Sequence, residues 1–548
     1  MARKMKNPHP FIEVPDFHTA REMIEYGHIK GGDRKQYIYP ETRTKDRTKS
    51  FNEVWYDTVG LGQNLYMRGL SGKKVAILSD NSYYWIVCFY SILTGKYTAI
   101  PLDAKLMDND IIDIMRRSHC DAIYYSDEFA GTVEKLKKAE GVCLTEYIKI
   151  SDFYDLIEEG HADLKAGNKS YLDEPPLPED IATIVFTSGT TGKSKGVMLS
   201  HKNIMSSAVS SARLIQGDHA IGFLPMNHTF AWASALFLIN VFTGWGYICR
   251  SLKDIPQDMK KFHPQNIAGV PLLIETIYKT VWRTAEKTGK ADKLRKGIKL
   301  SNFLRKFGID VRRKLFKDVI DGLGGELEYI VIGGAYLDPV YEKGLSDLGI
   351  EVFNGYGTTE CSPGITISTY ENYKFGSCGK PMGCEIKIKN PDEDGIGEIC
   401  VKGDNVMVGY FEDPEATASV MDGDWFMTGD YGYIDDEGFL FYVGRKKNLI
   451  VLSNGKNVAP EELEDQLTRL DYVKEVVVSE EDGFITGEFY LDETVCPDAK
   501  EKIKEDVKKY NDTLPSYKRI LKIKTRDTEF PKTTSLKIKR KYKDDIKV

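Results

Sequence analysis

The chain has 548 residues, 41% hydrophobic, 11% aromatic and 29% charged, with 75 Lys and Arg against 82 Asp and Glu for a net charge of −7. This supplies apolar material for several cores, excludes disordered, collagen-like and coiled-coil classes, and argues against a dedicated nucleic-acid binder, which carries a basic footprint. The nine cysteines are scattered with no Cys-x-x-Cys pair, so they suggest neither a disulfide framework nor a zinc site, and a reducing cytoplasmic setting is expected.

The N-terminus begins with basic residues but lacks an apolar core behind them, so it does not read as a secretory leader. The apolar run 75–78, the helix-compatible stretch 83–93 and a second run at 98–101 predict a β-α-β unit. Residues 181–186 predict a strand feeding a loop rich in Gly, Thr and Ser, after which Ser200 is placed to cap a helix from His201. The stretch 229–249 contains no Asp, Glu, Lys or Arg and is long enough to cross a bilayer. Its Thr229, Ser234, Asn240, Thr243, Gly244 and Gly246 instead favour a buried core or pocket helix. Strand-then-loop patterns recur at 329–332 before Gly333-Gly334 and at 351–353 before Gly355-Tyr356-Gly357. Parallel strands that end in Gly-rich loops are where open α/β sheets hold ligands.

Past about residue 380, short alternating strands such as 398–402 and 439–443 predict a β-rich subdomain. The last hundred residues predict strands at 473–479 and 484–491, then a helix with Ile503, Val507, Tyr510 and Leu514 on one face. The expected fold class is therefore α/β with a β-rich subdomain: a large N-terminal portion over 1–446 and a small α+β domain over 447–548. Two segments are basic, 279–317 and the tail from Lys518. A solvated charged face and contact with phosphates or an anionic membrane surface both remain open for them.

The loop Thr187-Ser188-Gly189-Thr190-Thr191-Gly192-Lys193-Ser194-Lys195-Gly196 concentrates hydroxyls, glycines and two lysines directly after an apolar strand. Glycines let backbone N–H groups approach an oxyanion, hydroxyls donate to it, and Lys195 or Lys193 supplies charge. A Walker A loop needs Gly at position 187, where Thr stands, so the P-loop reading fails on spacing.

This loop resembles the signature of the AMP-forming adenylating enzymes, which include acyl-CoA synthetases, peptide-synthetase adenylation domains and luciferase, although the family usually has Pro where Ser194 stands. Further matches follow in family order: Tyr356-Gly357-Thr358-Thr359-Glu360, Thr428-Gly429-Asp430, the hinge Gly444-Arg445-Lys446-Lys447, and Pro531-Lys532-Thr533-Thr534-Ser535-Leu536-Lys537. The resemblance implies ATP, Mg²⁺ and CoA. It implies that Thr187, Ser188, Gly189, Thr190, Thr191, Gly192 and Lys195 bind phosphate, that Glu360 binds the metal, and that Thr359 bonds the α-phosphate. Gly333, Gly334, Ala335, Tyr356 and Gly357 would line the adenine pocket, Asp430 and Arg445 would hold the ribose, and Lys537 would be the catalytic lysine. A mobile C-terminal domain turning about Lys447 would bring Gly455 to the thiol channel for the second step.

The family's amino-acid-activating members hold the substrate ammonium with an aspartate in the segment similar to 225–232, which here contains no acid. An unpaired buried ammonium is costly, so amino acids are disfavoured. The resemblance places His228 near the carboxylate and thiol, and Phe230 and Trp232 at the acyl pocket. The basic insertion before Val311-Arg312-Arg313, the stretch 324–335 and the ending Ser535-Leu536-Lys537 resemble the long-chain fatty acyl-CoA synthetase branch. The expected activity is conversion of a medium- to long-chain fatty acid to an acyl-adenylate and then a thioester. CoA is the expected acceptor and the phosphopantetheine of an acyl carrier protein the alternative. The expected location is cytoplasmic, with peripheral contact on the inner face of the membrane left open.

Overall fold

The computed structural model describes residues 5, 7–9, 12–187, 194–452, 457–532, 538 and 540. The chain divides into two compact units. The first comprises Met1–Ile386, Val401–Phe426 and Asp436–Leu440, and the second Lys387–Cys400, Met427–Asp435 and Phe441–Val548.

The first unit is built on two large sheets. In the seven-stranded sheet, Lys74–Leu78, Thr98–Pro101, Ala122–Tyr125, Glu146–Lys149 and Ile181–Thr187 run parallel. Their near-continuous apolar sequences suit strands covered on both faces, and Val75 to Leu78 are fully buried. The predicted β-α-β unit is present, with the helix Tyr83–Leu93 capped by Ser82, which accepts from the Trp85 N–H. The nine-stranded sheet brings His219–Gly222, Trp245–Ile248, Asn266–Gly269, Tyr329–Ile332 and Glu351–Gly357 into parallel register. It also takes in the N-terminal strands Lys35–Pro40 and Asp46–Ser50.

The helix His201–Leu214 starts where expected. Ser200 and Asn203 bond reciprocally across its first turn as a capping box. The stretch 229–249 is not one helix. It folds as the short turns Thr229–Ala231, Trp232–Leu236 (a π-turn) and Phe237–Phe242, then the strand Trp245–Ile248. Thr243 ends the last helical turn in the left-handed region at φ +50°, and Gly244 after it fits where a Cβ would stand 2.0 Å from the Asp218 carbonyl oxygen. Among the described residues no helix is long and apolar enough to cross a membrane.

The β-rich sheet past residue 380 contains Glu385–Lys389, Gly397–Lys402, Trp425–Ile434 and Leu440–Arg445. The second unit holds the three-stranded sheet Val473–Glu481, Phe484–Leu491 and Lys522–Arg526. The helix Ala499–Asn511 packs Ile503 and Val507 into that unit's core, with Tyr510 and Leu514 at its margin.

Candidate active site

The strand Ile181–Thr187 pairs antiparallel with Lys195–Ser200, so that Thr187 stands opposite Lys195. The loop between them leaves and returns at the carboxyl end of a parallel strand, the position where α/β sheets bind ligands. Ser188, Gly189, Thr190, Thr191 and Gly192 lie outside the described residues. The edge strand Gly409–Tyr410 continues this ladder, with Tyr410 opposite Val197. Its register places the Tyr410 ring against Lys195, whose Nζ is 4.6 Å from the ring centroid. The Tyr410 hydroxyl donates to Glu360 Oε1 at 2.9 Å. Tyr410 thus ties the cation of the hairpin to the carboxylate of the second motif, and sequence reading gave no hint of it.

Thr359 and Glu360 form a short 3₁₀ turn, Thr359–Cys361, directly after the strand Glu351–Gly357. The turn is held by Met407, whose N–H donates to the Glu360 carbonyl at 2.8 Å, and by Ser362, whose hydroxyl donates to the Asn405 carbonyl at 2.9 Å. Tyr356 is half-buried at the end of the same strand. Gly333, Gly334 and Ala335 follow the neighbouring strand Tyr329–Ile332, and Gly334 has φ +82°. Phe230 lies beside them, since a Cβ on Gly333 would meet its Cζ at 3.4 Å.

An apolar cavity opens at the carboxyl ends of His219–Gly222 and Asn266–Gly269, lined among others by Ala220, Gly222, Ala231, Ser234, Ala235 and Ala268. Ser234 is the one polar side chain in that lining, and its hydroxyl is already committed to the Phe230 carbonyl at 2.5 Å. Neither Phe230 nor Trp232, the two residues expected at the acyl pocket, belongs to the lining. Trp232 turns into the core instead. Its indole N–H donates to the Met226 carbonyl at 2.6 Å and its ring packs on Phe89 at 4.7 Å. His228 is half-buried before the turn Thr229–Ala231, and its N–H donates to the Pro225 carbonyl at 3.1 Å.

In the second unit Asp430 lies in the strand Trp425–Ile434 and is 1% exposed. Its N–H donates to the Thr428 hydroxyl at 3.1 Å, and Arg445 Nε approaches its Oδ1 at 2.9 Å. Lys446 pairs with Glu398 at 2.7 Å, which holds the lysine pKa above its ordinary value. Lys447 is exposed in the turn Lys446–Asn448. Gly455 and Lys537 lie outside the described residues.

A model of the AMP-binding enzyme family matches residues 30–411. The chain belongs to that family. A model of the AMP-binding enzyme C-terminal domain matches residues 447–546. The chain is 30% identical over 495 residues to long-chain-fatty-acid–CoA ligase 5 of Mus musculus, covering 83% of this chain and 72% of that protein. It is 29% identical over 509 residues to long-chain-fatty-acid–CoA ligase 1 of Homo sapiens, covering 83% and 71%. Among solved structures it resembles O-succinylbenzoate coenzyme A synthetase from Bacillus subtilis in complex with AMP, with TM-score 0.74, 23% identity and coverage of 96% and 98%. It also resembles a Mycobacterium tuberculosis fatty acyl CoA synthetase, with TM-score 0.65, 22% identity and coverage of 95% and 97%. The fold is that of the adenylating enzymes.

This AMP-binding enzyme has Ser194 where the family usually has Pro, and the substitution has a partner. Arg117 donates to the Ser194 carbonyl at 2.6 Å and to its hydroxyl at 2.7 Å. A charged donor fixes the end of the loop that the ring of a proline would otherwise stiffen. Residues 117 and 194 are far apart in sequence and no spacing signal links them.

Behind the expected adenine segment, the helix Pro339–Asp347 buries Glu342 completely. Burial raises its carboxyl pKa from 4.5 to about 7, against hydrogen bonds from Gly376 N–H and Tyr373. A raised carboxyl pKa favours the folded state fully below pH 4.5, and that contribution is lost as pH rises through about 7. Glu342→Gln should therefore match the parent near pH 4 and exceed its stability by about 2 to 3 kcal/mol at pH 8. Urea midpoints at the two pH values check this.

Proposed function

We propose that this enzyme activates a medium- to long-chain fatty acid with ATP and passes the acyl group to CoA. The observation that carries the choice of acid is the cavity lining, which is apolar apart from one hydroxyl already engaged with backbone. A lining without a carboxylate has nothing to hold a substrate ammonium, whereas a hydrocarbon chain needs no polar partner there. The cavity volume is ≈ 30 Å³. CoA is favoured over a carrier protein because the curated relatives are named CoA ligases.

The reaction has two displacements. A carboxylate oxygen of the acid forms a bond to the α-phosphorus of ATP while the bond to the β-phosphate oxygen breaks and pyrophosphate leaves. The CoA sulfur, having given its proton to solvent, then bonds to the acyl carbon and AMP leaves. Both begin with an anion approaching an anion, so the site must supply positive charge and fixed donors. We assign the β- and γ-phosphates to the loop of Thr187, Ser188, Gly189, Thr190, Thr191, Gly192 and Lys195. The α-phosphate falls to Thr359 and Lys537, and His228 to the acyl carbonyl and thiol. The adenine is assigned to Gly333, Gly334, Ala335, Tyr356 and Gly357, and the ribose hydroxyls to Asp430 and Arg445.

Among the described residues no three His, Cys, Asp or Glu side chains form a metal cage. A lone carboxylate such as Glu360 suits Mg²⁺, which takes most of its ligands from phosphates and water. When bound, the ion would neutralise phosphate charge. We place the domain boundary at the hinge near Lys447, with Gly455 facing the thiol in the second step, and the enzyme in the cytoplasm with peripheral membrane contact.

Mass detection of acyl-CoA formed from ATP, CoA and a series of acids tests the reading. Ala235→Phe fills the cavity, so kcat/KM for a sixteen-carbon acid should fall about 10- to 100-fold while a six-carbon acid is converted at the parent rate. Equal loss for both acids would remove the cavity from the acyl site.

A further inference from the structure

The polar groups of the segment 404–411 bond in turn to two different elements. Towards the hairpin strand Lys195–Ser200 and the helix after it, Asn203 donates to the Asp404 and Val406 carbonyls at 2.9 Å each. Val408 N–H donates to the Met198 carbonyl at 3.0 Å and Phe411 N–H to the Gly196 carbonyl at 2.7 Å. Towards the turn Thr359–Cys361 and the residues after it, Asn405 donates to the Gly364 carbonyl at 2.7 Å and Met407 N–H to the Glu360 carbonyl at 2.8 Å. The segment thus stitches the hairpin to the turn.

Tyr410, 7% exposed, completes the stitch with its side chain. Its ring face takes Lys195 Nζ at 4.6 Å, and its hydroxyl donates to Glu360 Oε1 at 2.9 Å. Opposite charges therefore touch one phenol, the cation at the face and the anion at the hydroxyl. Among the described residues Lys195 has no carboxylate within ion-pair distance, and the Glu360 carboxylate has the Tyr410 hydroxyl as its hydrogen-bond partner.

We propose that Tyr410 is a positioning residue that keeps Lys195 and Glu360 from pairing with each other. A flexible lysine and a carboxylate on stitched elements gain by meeting, and once paired neither is fully available to a third partner. Tyr410 offers each another contact, a cation–π contact to the lysine and a charge-assisted hydrogen bond to the carboxylate. The second contact strengthens the first, because an O–H drawn towards a carboxylate leaves the ring richer in electrons. A phosphate then meets a cation that it need not pull away from a carboxylate. That use of the two charges rests on the nucleotide assignment above. Their separation does not.

Urea midpoints of the full chain read the separation with no ligand present. Lys195→Met and Glu360→Gln should shift the midpoint additively when Tyr410 is in place, because the two charges do not touch. In Tyr410→Leu the pair forms, so the two single shifts should sum to more than the shift of the double variant. Tyr410→Phe keeps the buried ring and should show the same sign at smaller size, which covers the case of a poorly folded Tyr410→Leu. ATP binding by equilibrium dialysis in EDTA reads the consequence. Tyr410→Leu should weaken it about fivefold or more, and Glu360→Gln should strengthen it more in the Tyr410→Leu background than in the parent. Additive midpoints in every background, non-additive midpoints in the parent, or equal gains from Glu360→Gln with and without Tyr410 would overturn the proposal, since a merely structural tyrosine predicts them. The expected midpoints in a chain that releases no pyrophosphate with any acid would leave the role of Tyr410 standing and remove the fatty-acid reading.

Discussion

Replacing Lys537 with alanine should lower fatty-acid-dependent pyrophosphate release by about 100- to 1,000-fold, the scale on which one preorganised charge acts in a transition state. The residue lies outside the described residues, and Lys532 and Arg540 on either side of it are held by ion pairs. Lys532 pairs with Glu475 at 2.5 Å and with Glu529 at 2.9 Å. Phe530 N–H donates to Glu475 Oε2 at 2.8 Å, and Lys532 bridges to Ile538. Arg540 grips Glu464, lies 3.3 Å from Glu461 and donates to the Val478 carbonyl at 3.2 Å. These bonds tie the described residues on both flanks to the second unit, so truncation of Lys537 should remove charge and leave the domain folded. The loss should be largest for adenylate formation, where two anions are brought together. Thioester formation from preformed acyl-adenylate should lose far less. Equal loss in both half-reactions, or an unfolded second unit by proteolysis, would refute the assignment.

Gly357→Ala should abolish measurable ATP-dependent turnover, a loss of at least about 100-fold, for a steric reason. A Cβ at Gly357 would come 1.9 Å from the Pro363 carbonyl oxygen and 2.9 Å from its carbon. Both obstacles are backbone, so neither can swing away. The relief available is movement of the segment between them, which carries Thr359 and Glu360. A shift of about 1 Å in catalytic groups costs about two orders of magnitude. Gly334→Ala is a milder control: its φ of +82° strains any L side chain, but open space surrounds the position, so a loss of about 1 to 2 kcal/mol in stability is expected there. Parent-like activity in Gly357→Ala would place the Tyr356–Glu360 segment away from the chemistry.

Much of the fold was legible because its strands are buried on both faces and so read as continuous apolar runs. The runs at 75–78 and 329–332 became Lys74–Leu78 and Tyr329–Ile332 within one residue. The strand that feeds the Gly/Thr/Ser loop was legible for the same reason, and the run at 181–186 became Ile181–Thr187. Pairings between distant segments were not legible. The cavity gathers Ala220, Ala235 and Ala268 because His219–Gly222 and Asn266–Gly269 are neighbours in the sheet, and small residues carry no signal until that order is known. The place of Trp232 in the core was not legible either. Its buried indole N–H needs an acceptor, and finds the Met226 carbonyl inside the core. Arg312 read only as part of a basic stretch, and its bonds to Glu351 and Ser346 across the fold go with its burial.

The most direct test of the account is pyrophosphate release by the purified full chain with ATP and Mg²⁺ across a panel of fatty acids and amino acids, with CoA present or absent. The account predicts release that requires a fatty acid, ignores amino acids, turns over repeatedly only with CoA and collapses in Lys537→Ala. Release driven by an amino acid would contradict the cavity argument, and no release with any acid would contradict adenylation itself.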